Sequence, residues 1–158
     1  MKAPAKEGLS VNATEGTCTW TIPNFSSLMV IEGKKISNIF SIGGHKWKLF
    51  VYPRGHVSSK DKSVSLFLQL ADDWEKMLED GKVTAEYFSL SVICQHDPEK
   101  RRKRGLVNHE FKQKRNNRGF PDLISLTAFQ NAAKGFLVND TVTFQVEMKV
   151  AEDYLGWY

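Results

Sequence analysis

The sequence predicts an all-β fold, an antiparallel β-sandwich of seven or eight strands with one short helix. Near the C-terminal end, Val142, Phe144, Val146, Met148 and Val150 alternate with polar residues. Five apolar positions at a period of two indicate a strand with one face on a core and one in water. Other short apolar runs are separated by turn-forming residues, which is the spacing typical of a sandwich. A chain of 158 residues can form one such domain.

The same alternation predicts the individual strands. We expect them over residues 18–22, 38–42, 45–52, 64–70, 88–94, 107–112 and 142–150, with a short apolar run at 123–126. Gly43 and Gly44 lie between two of these strands and predict a hairpin turn, because glycine tolerates the positive φ that such turns need.

The predicted helix is a single brief turn near the C-terminal end. Ser125 or Thr127 is expected to cap it, and it runs to Ala133 and stops at Gly135. Residues 72–82 are polar and are expected to form a loop or a short helical turn.

The distribution of polar residues predicts the domain boundaries, and the positions of Cys18 and Cys94 predict their oxidation state. Residues 1–16 are small and polar and predict a flexible tail, residues 17–151 the sandwich, and residues 152–158 a short extension. Cys18 and Cys94 lie in strand patterns without a CxxC pair, so we expect buried free thiols.

Phe67 interrupts an otherwise regular strand. Val64, Leu66, Leu68 and Leu70 form the predicted inward face, which directs the ring of Phe67 outward. An outward aromatic residue marks either a binding face or a site that a neighbouring loop covers. The sequence is compatible with both.

The charge distribution and the missing motifs limit the functional classes. The net charge is +4, yet nine of the nineteen residues from 100 to 118 are Lys or Arg, opposed by Glu110 alone. Positive charge is therefore a local surface property. No nucleophile–base, zinc or phosphate-loop motif occurs, which predicts no enzyme, cofactor or metal. Without a secretory signal or an apolar run of about 18 residues, we expect no membrane association and a cytoplasmic protein, with the nucleus as an alternative.

Six short motifs occur in order along the chain. Residues 20–25 read W-x-I-x-N-F, and residues 40–49 read F-x-x-G-G-x-x-W-x-L. The series continues through residues 52–55, 66–68, 88–90 and 135–140. Together the motifs resemble those of the MATH family (meprin and TRAF homology, TRAF-C-like), in its plant-type single-domain form. The resemblance covers residues 17 to 151 and implies a TRAF-C-like sandwich.

The resemblance implies a non-enzymatic module that binds short extended peptides along a sheet edge. The peptide-binding positions carried over are Phe67, Glu86, His109, Asn117, Arg118 and Phe120. Asn117 and Arg118 replace the Asp-Trp common in the family, which removes an apolar wall and adds positive charge. This favours acidic or phosphorylated peptides, unless the groove has lost its function. Such domains act as monomeric or trimeric adaptors; a monomer is expected here, with ubiquitin-ligase or deubiquitinase components among its partners.

The alternative is nucleic-acid or polyanion binding through a basic hairpin. Its residues are Lys100, Arg101, Arg102, Lys103, Arg104, Lys112, Lys114 and Arg115, which are expected to gather at one end of the sandwich. Phe111 is the one aromatic residue among them and is predicted to point inward, so aromatic rings for base stacking are missing. Residues 100–104 also match a basic nuclear-import signal, or else form a solvated hairpin tip.

Overall fold

Two antiparallel sheets pack face to face in the computed structural model, which describes residues 14–30, 33–73 and 81–152. One sheet has the strand order β1-β9-β6-β7, and the other has the order β2-β4-β5-β8 with β3 paired to β4. The elements are β1 Glu15–Ile22, α1 Ser26–Met29, β2 Lys35–Ile36, β3 Phe40–Ile42, β4 His45–Tyr52, β5 Ser63–Leu70, β6 Lys82–Val92, β7 Arg102–Lys112, β8 Asn117–Ser125, α2 Leu126–Gln130 and β9 Val142–Val150. The predicted β-sandwich is confirmed.

Alternating side chains build the core between the sheets. Along β9 every second residue is buried, and the five residues from Val142 to Val150 that were predicted to face inward do so. In β5 the predicted inward residues are fully buried as well. Trp47 lies at the centre of the core, fully buried, and its indole N–H donates a hydrogen bond to the Ile42 carbonyl at 3.0 Å. Burial of these apolar side chains is the main stabilising term of the fold.

The predicted Gly43-Gly44 turn is confirmed, and the helix is shorter than predicted. Gly43 and Gly44 have φ values of 65° and 79° and join β3 to β4. The Ser125 hydroxyl accepts a hydrogen bond from the Ala128 N–H at 3.1 Å, so Ser125 is the cap. The α-helix nevertheless ends at Gln130 rather than Ala133, because a separate 3-10 turn follows it.

Several strands extend beyond their predicted limits. β7 begins at Arg102 instead of residue 107, because it pairs with β6 along its whole length from Val92↔Arg102 to Lys82↔Lys112. β6 likewise starts at Lys82, which was predicted to belong to a loop. β8 begins at Asn117 rather than at residue 123. Alternation alone missed the starts of β7 and β8 because charged and polar residues on an exposed edge strand do not alternate with apolar ones.

The termini and one loop fall mainly outside the described residues. Residues 1–13 of the predicted tail and residues 153–158 of the predicted extension lie outside the described residues. β1 starts at Glu15, two residues before the predicted domain boundary. The predicted loop or turn at 72–82 lies partly outside the described residues, from 74 to 80. No helix in the described ranges is long and apolar enough to cross a membrane. Cys18 and Cys94 are free thiols, the first half-buried and the second buried.

Candidate functional site

The candidate site lies along the seam between β7 and β8. Each of these consecutive strands is the edge of its own sheet. They are joined by a tight turn in which Lys112 and Arg115 exchange two backbone hydrogen bonds of 3.1 and 3.0 Å. The chain therefore passes from one sheet to the other at this turn. Edge strands carry unpaired backbone N–H and C=O groups, which a further strand can use.

Aromatic rings form the floor of the seam. Phe111 is fully buried on β7, and its ring meets that of Trp47 edge-on at 5.0 Å. His109 packs edge-on against Phe111 at 4.7 Å and against Phe88 at 6.0 Å. Edge-to-face contacts of this kind hold a ring in one orientation. The imidazole of His109 is thus fixed in place from the core side.

Arg118 faces His109 across the seam. On β8, Arg118 pairs with Leu68 and Phe120 with Leu66, and both leucines are fully buried. Cross-strand partners point to the same face of a sheet, so Arg118 and Phe120 project toward the other sheet. His109 pairs with the buried Ala85 and projects inward from the opposite side.

The pKa of His109 reflects this environment. Burial lowers the pKa of the imidazole below its ordinary value of 6.5, and the positive charge of Arg118 lowers it further. Glu110 raises it by a smaller amount. The neutral imidazole is therefore favoured while the seam is empty.

The seam opens into a groove of about 590 Å³ near the β7–β8 turn. The lining residues are His109, Glu110, Lys112, Lys114, Arg115, Asn117 and Arg118. This set contains four cations and one carboxylate. The Glu110 carboxylate accepts a hydrogen bond from Lys82 at 2.8 Å, and that bond lowers its pKa. The groove as a whole therefore presents positive charge.

The structure merges two sites that the sequence treated separately. His109, Asn117 and Arg118 were predicted to bind a peptide, and Lys112, Lys114 and Arg115 to form part of a basic patch. All six line the same groove. Sequence distance alone could not show this, because the turn and the seam are products of strand pairing.

Phe120 forms an adjoining wall of the seam, but it is covered. Its side chain is buried and contacts Phe88 at 6.3 Å. The guanidinium of Arg104 lies 4.9 Å from the centre of the ring and is also hydrogen-bonded to Asp122. A cation over an aromatic face stabilises this arrangement. Phe120 therefore packs beneath the Arg104 guanidinium and is not exposed in the seam.

Phe67 lies on a different surface from the groove. Its ring stacks on Phe50 at 5.1 Å and meets Tyr52 and His56 edge-on, each at 6.0 Å, on the outer face of the second sheet. The outward orientation predicted from the sequence is confirmed. His56 belongs to the segment that follows β4, so part of the ring is covered by a neighbouring loop. The backbone of Phe67 pairs with Gly119 on β8, so Phe67 is connected to the seam through this strand pairing and not through its ring.

Glu86 is not part of the groove. It lies at an irregularity in the pairing of β6 with β9, and its carboxylate is 3.8 Å from the Lys149 ammonium. Lys149 belongs to the outward face of β9, which places Glu86 on the outer face of the first sheet. The bulge decides this orientation, and the motif alignment does not register it.

The basic residues do not gather at one end of the sandwich, so that expectation is wrong. Arg102 and Lys112 lie at opposite ends of the eleven-residue β7, about 33 Å apart at about 3.3 Å per residue. Arg101 and Lys103 lie 3.8 and 3.6 Å from Glu147, Arg104 binds Asp122, and Arg102 lies over the Phe136 ring. Most of the charge at this end is compensated by partners far away in the sequence.

The fold and the open edge groove define a β-sandwich interaction domain. The chain belongs to the MATH domain family, whose model matches residues 17–148. MATH domains are protein-interaction modules. The chain is similar to "MATH domain and coiled-coil domain-containing protein At3g58210" of Arabidopsis thaliana, with 37% identity over 142 residues, covering 89% of this chain and 41% of that protein.

A longer relative and one solved structure are also similar to this chain. "Ubiquitin C-terminal hydrolase 12" of Arabidopsis thaliana is 33% identical over 140 residues, which is 88% of this chain and 12% of the hydrolase. Among solved structures, TRAF5 of Notothenia coriiceps superimposes with a TM-score of 0.63 at 19% identity, covering 87% of this chain and 74% of that one. The chain therefore spans less than half the length of these curated relatives, and the TRAF5 likeness concerns the fold.

Proposed function

We propose that this chain is a non-enzymatic module that binds an extended peptide segment of a partner protein along the β7–β8 seam, with a preference for acidic segments. The observation that carries the proposal is the groove at an open sheet edge, lined by four cations and one carboxylate. Edge backbone groups can pair with an added strand, and the cations select its side chains. Ordering the peptide opposes binding, so we expect a dissociation constant in the micromolar range. This corresponds to a binding free energy of about −8 kcal/mol.

The first test is the charge of Arg118. Its side chain is exposed, so Arg118→Asp changes the groove without removing a core contact. We expect this variant to weaken binding of acidic peptides from a display selection at least about tenfold, because an attractive charge becomes repulsive. Phe120→Ala is a poorer test, since Phe120 is buried and its loss also costs stability.

Lys35→Asp is the matched control. Lys35 is exposed on β2, the opposite edge of the same sheet, and its substitution makes the same change in net charge. Isothermal titration calorimetry with the selected peptide should show near-wild-type affinity for this control. Equal affinity of Arg118→Asp and wild type would contradict the proposal.

A second prediction concerns pH. In the free protein, Arg118 lowers the pKa of His109 and Glu110 raises it. An anionic peptide side chain bound beside the imidazole adds further negative charge, so the pKa of His109 rises in the complex. Binding then takes up a proton, and affinity for a carboxylate peptide should rise as the pH falls toward the lowered pKa of the free imidazole.

Calorimetry from about pH 7.5 to about pH 5.5 tests this, since peptide carboxylates stay ionised over that range. His109→Gln should flatten the profile while keeping a polar group of similar reach. If His109→Gln retains the same slope as wild type, another group is responsible and this prediction is wrong.

Polyanion binding is the second candidate, favoured by the free cations at the β7–β8 turn. Against it, Phe111 is fully buried and cannot stack on a base, and the cations at the other end of β7 are paired. Retention on single-stranded RNA with a steep salt dependence would favour this candidate.

The pathway and the compartment are proposals too. Relatives that include ubiquitin C-terminal hydrolases support an adaptor with ubiquitin-related partners, and we propose that it acts as a monomer. Affinity purification with wild type and Arg118→Asp should show ubiquitin-ligase or deubiquitinase subunits lost with the variant. We propose a cytoplasmic location. Residues 102–104 begin β7, and the side chains of residues 101–104 contact Glu147, Phe136 or Asp122. These contacts disfavour use of residues 100–104 as an extended import signal.

A further inference from the structure

Uncompensated positive charge is concentrated at one end of the seam. In the described part of the chain Lys114, Arg115 and Arg118 make no ion pair, and Lys112 lies 3.9 Å from Glu110, which is itself held by Lys82. At the opposite end of β7, by contrast, Glu147 and Asp122 offset the cations. The difference between the two ends is a property of the fold, since the compensated end carries five cations in sequence and the turn end carries four.

We propose that the β7–β8 turn is a phosphate site, which binds a phosphorylated side chain of the peptide through Lys114, Arg115 and Arg118. This inference rests on the proposed peptide-binding function and specifies the residue that the groove recognises. Carboxylate-only recognition is the alternative that it excludes.

The number and type of the cations favour phosphate over carboxylate. A carboxylate carries one charge and two oxygens, whereas a phosphomonoester carries about −1.5 to −2 charges and three acceptor oxygens at neutral pH. Two guanidinium groups and an ammonium carry enough positive charge to neutralise a phosphomonoester, and the guanidinium groups offer forked donors. Asn117 adds an amide to the same lining. A single carboxylate would leave most of these donors to water.

The location of the turn defines which part of the peptide is phosphorylated. The turn follows directly after β7, so a peptide paired along β7 has its phosphorylated residue at one end of the bound segment. A groove of about 590 Å³ accommodates that side chain together with its neighbours. The remaining residues lie along the seam toward Phe120.

Degenerate peptide libraries with one fixed central residue test the inference on the full chain. The fixed residue is phosphoserine, aspartate or serine, and retention is measured by pull-down and then by calorimetry on the enriched peptides. We expect phosphoserine to bind at least about tenfold more tightly than aspartate. Arg118→Gln and the double variant Lys114→Gln/Arg115→Gln should remove that advantage.

The matched control is Lys100→Gln/Lys103→Gln, which makes the same change in net charge at the other end of β7. All variants change exposed side chains, and thermal melting verifies that they fold. The control should keep the phosphoserine advantage. If it loses the advantage to the same extent as the turn variants, the effect is one of overall charge and the phosphate site is overturned.

The remaining outcomes separate the inference from the proposed function. Equal binding of the aspartate and phosphoserine libraries would overturn the phosphate site and leave peptide binding in place. No retention of any library would overturn both. Full displacement of the phosphoserine peptides by single-stranded RNA, with RNA bound more tightly than the peptides, would overturn the inference in favour of a polyanion surface.

Discussion

Substitution of Gly119 by alanine is expected to lower the free energy of unfolding by about 3 kcal/mol, near the upper end for overpacking. Gly119 lies between Arg118 and Phe120 and pairs with Phe67. A Cβ atom there would lie 2.2 Å from the Leu66 carbonyl oxygen and 2.5 Å from the Phe67 Cα. These are backbone atoms, so the methyl group can fit only if β8 moves away from β5. The residues of the groove on β8 would move with it.

Thermal and chemical denaturation measure the effect, and Gly16→Ala is the control. A Cβ at Gly16 would lie 2.9 Å from the Ile42 Cγ1, which belongs to a side chain that can shift. For a chain of this size the Gly119 variant should lose roughly 6–12 °C in Tm, and the Gly16 variant much less. Equal losses would show that the close approach of β5 and β8 is not what requires glycine.

Substitution of Trp47 by alanine is expected to cost about 4 kcal/mol. Trp47 is fully buried, its ring contacts Phe111 at 5.0 Å, and its N–H binds the Ile42 carbonyl. Alanine leaves a large cavity and removes the indole hydrogen bond to that carbonyl. Because Phe111 supports the His109 ring, the cavity also loosens the floor of the groove.

Trp47→Phe separates the two contributions. It retains most of the ring but removes the donor to Ile42, so a smaller loss of about 1–3 kcal/mol is expected from the lost hydrogen bond and the missing ring atoms. Urea denaturation of both variants gives the comparison. A loss in Trp47→Phe as large as that in Trp47→Ala would mean that the hydrogen bond outweighs packing at this position.

Local patterning was sufficient for the elements whose side chains alternate. β9 and β5 were predicted with their correct inward faces because a strand with one buried face must alternate at a period of two. The Gly43-Gly44 turn was equally predictable, since a tight turn with positive φ favours glycine. The early part of β7 was missed because pairing with β6 stabilises it, although its own residues are mainly cations.

The candidate site was predictable in its residue types and only partly in its geometry. The motif alignment grouped His109, Asn117 and Arg118, and these three residues line one groove. Glu86, which the alignment also included, lies apart from that groove, because a bulge in β6 turns its side chain to the outer face. The alignment also did not show that Phe67 belongs to a separate aromatic cluster.

The sequence by itself determined the sandwich, the hairpin and the local excess of cations, because these depend on side-chain period, backbone preference and composition. The tertiary structure alone decided which of those cations are free to bind a ligand. Arg104 and Lys103 find carboxylates at Asp122 and Glu147 through strand pairing, whereas Lys114, Arg115 and Arg118 surround an open groove. The physical reason is that electrostatic compensation depends on distances of a few ångströms in space, which separation along the chain does not specify.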